Sequence, residues 1–198
     1  MPAPRRPVTS VGDRAADDLR FIRDAMARSA TFTAVPGFGG TFMGVVGLTA
    51  ALIAWRQPSP DRWLGVWLAA AVVAAAGGAI AIVLKAGRAG LRLDGPTARN
   101  FAIGLIAPLA AGAAITYALW LAGTYSAMPA VWLLLYGTGV LIGGVFSVPV
   151  VRLTGAIFML LGFAAVLLPT EYGNVCLGAG FGVLQTIGGI WIARKHGG

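Results

Sequence analysis

Apolar and polar positions in this chain come in blocks rather than in the short alternation of a soluble fold. From residue 39 onward, stretches of 16 to 22 residues carry no Asp, Glu, Lys or Arg, and the charges gather in the gaps between them. A helix rises about 1.5 Å per residue, so roughly 20 apolar residues cross a hydrocarbon layer of about 30 Å. The pattern therefore predicts an all-α integral membrane protein with six transmembrane helices, over 39–55, 63–84, 101–122, 130–151, 153–168 and 175–193. The fifth stretch is short, and a re-entrant segment there competes with a full crossing. Pro149 and Arg152 fall near the break between the fourth and fifth stretches, which predicts a tight helical hairpin.

Ahead of these runs the period changes. Ala15, Leu19, Ile22 and Met26 recur every three or four residues among charged neighbours, the signature of an amphipathic helix. Residues 13–34 are read as a surface helix and 1–12 as an extended or disordered tail. Asp13, Asp17 and Asp18 in its first turns and Arg23 and Arg28 later suit the helix dipole. Val35-Pro36-Gly37 then bends the chain, because a residue before proline disfavours the helical region. The glycines that follow do not read as a phosphate loop, since no Lys-Ser or Lys-Thr closes them. Instead Gly40, Gly44 and Gly47 fall at helical spacing on one face, as residues that let membrane helices pack closely. The run Gly178–Gly182 reads the same way.

Composition and charge orient the picture. Hydrophobic residues make up 58% of the 198 and charged residues 11%, with a net charge of +8. Nucleic acid is excluded as a partner, because the basic residues lie between apolar runs and not on one folded face. Short loops rich in Lys and Arg stay in the cytoplasm. With the N-terminus inside, thirteen basic residues fall on the inner side and only Arg56 and Arg62 on the outer, so an N-in, C-in topology is expected. Trp55, Trp63, Trp67, Trp120 and Trp132 then fall at outer ends and Trp191 at an inner end, as interfacial anchors. The expected partners are the bilayer itself, anionic lipid headgroups at the cytoplasmic surface, and a membrane partner or a second copy.

The stretch "LRFIRDAMARSATFTAVPGFGG", Leu19 to Gly40, resembles one shared by a group of small bacterial multi-pass membrane proteins of unknown activity. The resemblance covers about a tenth of the chain. It implies a bacterial inner-membrane protein and transfers no catalytic or binding residue.

Residues that carry chemistry are sparse. One cysteine, Cys176, and one histidine, His196, make no metal cluster and no intrachain disulfide. No cofactor is expected. The predicted spans hold no ionisable acid or base of the kind that proton-coupled transporters place there, and Ser147 has no histidine within the membrane to activate it. No enzymatic activity is expected. The uncharged polar residues are read first as hydrogen-bonding glue between helices. A sharper reading joins four of them: Pro108 kinks the third span, Tyr136 and Thr138 stand beside glycines in the fourth, and Gln185 is the only side-chain amide in any predicted span. Together they would line a cavity that binds or passes a neutral or lipid-like molecule. The alternative is a structural or signalling subunit that packs against a partner, or itself, through glycine-rich helix faces.

Overall fold

The computed structural model describes residues 18–19, 35–90 and 93–196. The chain divides into two compact units, Met1–Ala30 and Thr31–Gly198. Of the first, only Asp18 and Leu19 are described, both helical and exposed. The tail predicted over 1–12 and nearly all of the surface helix over 13–34 lie outside the described residues.

The second unit is helical, and six of its helices are long and apolar enough to cross a membrane. They are α1 (Gly37–Ala54), α2 (Pro60–Ala89), α3 (Pro96–Leu121), α4 (Met128–Gly144), α5 (Pro149–Leu167) and a composite last span. That last span begins as α6 (Gly173–Leu177), widens into a π-helical segment over Gly178–Leu184, and finishes as α7 (Gln185–His196). No strand occurs among the described residues.

Proline sets four of the starts. Pro60, Pro96, Pro129 and Pro149 each occupy the first or second helical position, where a missing N–H costs nothing and the fixed φ already suits the helix. Ser59 caps α2 by accepting from the Arg62 N–H at 3.4 Å, and α2 ends on Gly90 in the left-handed conformation, φ 62°. The same rule moves one predicted boundary. Residues 145–151 were expected in the fourth span, but α4 stops at Gly144 and Val148 is extended, ψ 146°, ahead of Pro149. The helix break thus belongs to the proline and not to Arg152. Starting at Pro149 rather than 153 and ending at Leu167, α5 is a 19-residue helix packed along α4. Within α3, by contrast, the backbone stays helical through Pro108.

Two rows of helices build the unit. Helix α1 lies between α2 and the last span, and α4 lies between α3 and α5, while α6 and the π-helical segment also touch α4 and α5. Following the chain back and forth defines two ends: a proximal end at Val35, Ala86, Ala98, Val148 and Ile192, and a distal end at Ala54, Trp63, Tyr125 and Asn174. The outer surface is a belt of large apolar side chains, among them Leu52, Val72, Ile106, Leu160 and Leu167. A belt of that extent far exceeds the apolar patch a water-soluble monomer carries. Such a multi-pass helix bundle is a membrane protein.

Close approach of α1 and the last span runs the length of both. Gly37 lies against Ala193, Gly40 against Gly189, Gly44 against Thr186, Gly47 against the Phe181 carbonyl, and Ala51 against Gly178. The paired numbers fall on one chain as they rise on the other, so this is an antiparallel seam of small residues. A Cβ on Gly44 or Gly47 would collide with backbone across it.

Candidate functional site

At the distal end the chain supplies a different material. Trp63 and Trp67 stand one turn apart on α2, so both indoles project from one face toward the last span. Both indole N–H groups donate to one acceptor, Asn174 Oδ1, each at 3.1 Å. Asn174 in turn donates from Nδ2 to the Ala51 carbonyl at 3.0 Å. One amide on the first turn of α6 thereby ties α2, α1 and the last span together. Trp63 stacks on Trp132 of α4 with ring centroids 5.5 Å apart and planes 4° apart, and the Trp132 N–H donates to Thr116 Oγ1 on α3 at 2.8 Å. Below them Tyr136, Phe158 and Phe181 form a triangle of rings with centroids 4.7 to 5.1 Å apart. These residues, with Leu133 and Leu177, are the main core of the unit.

A second group of bonds lies on the rim. Asp61 Oδ1 accepts from the Tyr125 hydroxyl at 2.5 Å and from the Trp120 N–H at 3.0 Å, joining the start of α2 to the end of α3 and the short connection before α4. Asp61, Trp120 and Tyr125 are all exposed or half-buried, so this clamp is wet. Beside it is a shallow recess of about 270 Å³ walled by Pro60, Trp63, Tyr125, Ser126, Pro129, Thr170, Glu171 and Asn174.

Three tryptophans therefore depart from the interfacial role expected of them. Trp67 is buried, 5% exposed, while Trp63 and Trp132 are half-buried against it. They stand at one end of the bundle, but their rings turn inward, where acceptors satisfy their N–H groups. Trp55 and Trp120 do face outward, at 68% and 44% exposure. The expectation that Gln185 is the sole amide in the spans also needs correction: Asn174, one residue ahead of the span expected over 175–193, is helical and inside the last span. A pair of tryptophans at i and i+4 was the legible signal for it, since two buried indoles require acceptors.

The four residues expected to share a cavity divide. Tyr136 and Gln185 meet: their side chains are close enough to interact, and Gln185 Nε2 lies 3.9 Å from Met43 Sδ on α1. Thr138 bonds back to the Leu134 carbonyl at 2.8 Å and faces Met159 Sδ at 3.9 Å, so it looks toward α5. Pro108 sits half-buried on α3, whose main packing partner is α4. Neither of the two best-formed recesses is lined by any of the four. One is the distal recess, and the other, about 290 Å³, lies along α7 between Ile187, Ile190, Trp191, Arg194 and Lys195. Among the described residues every buried side-chain nitrogen and oxygen has a hydrogen-bond partner. No group of three or more His, Cys, Asp or Glu side chains could hold a metal ion among them.

Comparison with protein-family models, with curated proteins and with solved structures returns no match. Function is therefore argued from the chain's own residues.

Proposed function

We propose that the protein is a non-enzymatic structural or signalling subunit of a bacterial inner membrane, N-in and C-in, that pairs with a second copy of itself through the outward face of α2. The observation that carries this reading is how unevenly the helices are buried. In the most apolar stretch of Pro60–Ala89 only 6% of residues are buried, against 50% for Tyr125–Gly144.

Glycine usage sharpens the reading. A glycine inside a helix costs about 0.5–1 kcal/mol relative to alanine, and in the described helices it stands where another segment comes close. Gly65 and Gly87 are the exceptions, each with nothing within 4 Å of where a Cβ would sit. Both are on α2. At spacings of three and four they fall in line with Ala69, Val72, Ala76, Ala79 and Val83, all exposed. A stripe of small residues is the surface on which membrane helices approach closely, and one stripe meeting its own copy satisfies a two-fold dimer. The other reading, a path for a neutral or lipid-like solute, needs open space beside Gln185, where Tyr136 and Met43 stand. The orientation follows from charge: Arg88, Arg99, Arg152, Arg194 and Lys195 belong to the proximal end, which this reading sets against anionic cytoplasmic headgroups.

Cysteine cross-linking in native membranes tests the proposal, because Cys176 is the chain's one cysteine and is buried. In a Cys176→Ser background, Ala76→Cys should form a disulfide-linked dimer on mild oxidation while Leu160→Cys, equally exposed but on α5, should not. Monomer at both positions, or equal dimer at both, would contradict it.

A further inference from the structure

The distal recess has a chemical character of its own. Its polar wall consists of the Glu171 carboxylate, the Tyr125, Ser126 and Thr170 hydroxyls, and the Asn174 amide. Trp63 adds the part of its ring that Trp132 leaves uncovered. A second carboxylate, Asp61, stands at the rim and is held there by Tyr125 and Trp120. No Lys, Arg or His lines the space. At about 270 Å³ it is smaller than the 300–1,000 Å³ that drug-sized ligands occupy.

We infer that this recess binds a small organic cation. Glu171 puts a negative charge in a wall that holds no basic residue, Arg62 lying outside it next to Asp61, and an indole attracts a cation through its ring quadrupole over distances up to about 6 Å. Inorganic cations would take only the carboxylates. An alkylammonium group also gains from burying its methyl or methylene groups against Trp63, Pro60 and Pro129, so the apolar part of the wall selects for it. The recess is assembled from α2, α4, α6 and two short connections. Asn174 fixes it, since the same amide that borders the recess holds Trp63 in place. Both carboxylates sit in water, so binding is weak and falls with ionic strength. The inference goes beyond self-association and stands whether or not α2 pairs.

Saturation-transfer NMR on the purified full chain in detergent tests it, with choline as probe and 3,3-dimethylbutan-1-ol as its uncharged counterpart of the same shape. Choline should give a saturable signal, and the alcohol one about twofold to fivefold weaker, the scale of one exposed cation–π contact. Glu171→Gln should weaken choline about threefold to fivefold, as expected for an exposed ion pair, and leave the alcohol unchanged. Glu171 is exposed, so the variant keeps the fold. Trp63→Phe should reduce binding further, and the ratio of choline to alcohol read on the same sample separates this from loss of structure. Equal signals for choline and alcohol, no saturable signal for choline, or a Glu171→Gln protein that binds choline as well as the parent would overturn the inference.

Discussion

The seam between α1 and the last span and the tryptophan cluster above it hold the same helices together by opposite means. Along the seam, from Gly37 against Ala193 to Ala51 against Gly178, contact exists because side chains are missing. In the cluster it exists because large side chains meet and their N–H groups converge on Asn174 and Thr116. Lipid is as apolar as a helix surface, so burial alone gives membrane helices little reason to associate. Close backbone approach and directional hydrogen bonds supply the reason, one in each region. The difference shows in how each should fail. A seam defined by absence has no room to relax, whereas a bonded cluster loses one interaction at a time.

Filling the seam should be the most damaging change. Gly44→Leu drives a side chain into the Thr186 backbone, and overpacking against backbone that cannot move aside costs about 3 kcal/mol, the top of the usual range. SDS titration of the protein in mixed micelles, followed by tryptophan fluorescence, should find little or no folded fraction. Asn174→Leu comes next. It leaves the Trp63 and Trp67 N–H groups without their acceptor, while the Ala51 carbonyl keeps the Trp55 N–H, a loss of about 1–3 kcal/mol in the same titration. If Asn174→Leu proved worse than Gly44→Leu, the ranking of the two regions would be reversed. Trp132→Phe removes the bond to Thr116 and part of the stack on Trp63, for about 1 kcal/mol. A smaller effect of opposite sign separates the seam from α2. Gly65→Ala meets nothing within 4 Å and should stabilise the monomer by about 0.5–1 kcal/mol through helix propensity alone. One residue type thus gives opposite signs on two helices, according to whether another segment lies opposite.

Much of the architecture was legible because its causes are local. Charge-free runs of crossing length gave six long apolar helices, and the starts expected at 63, 101, 130 and 153 fall within a few residues of the prolines that begin those helices in the structure. The end of the fourth span was placed beyond Gly144 because an unbroken apolar run outranked Pro149. Tyr136 and Gln185 lie 49 positions apart in the chain, and polarity within apolar runs was enough to single out both. Thr138 was misplaced in that group because a hydroxyl on a helix can bond its own preceding turn, as it does to Leu134. Asn174 and the inward turn of Trp63, Trp67 and Trp132 stayed hidden because they depend on contacts more than 100 residues apart in sequence between Asn174 and α2. Periodicity carries no record of which distant acceptor an indole finds.

Met43 and Tyr136 stand beside Gln185, and the proposed reading requires that the interior there be closed to a solute. It is tested most directly by the reactivity of a cysteine at that position toward a small, charged, water-soluble thiosulfonate. In a Cys176→Ser background, Gln185→Cys should stay unmodified in the folded protein while Ser126→Cys on the distal rim reacts. Modification of Gln185→Cys at a rate close to that of Ser126→Cys would mean that water reaches the centre of the bundle, and would contradict the account.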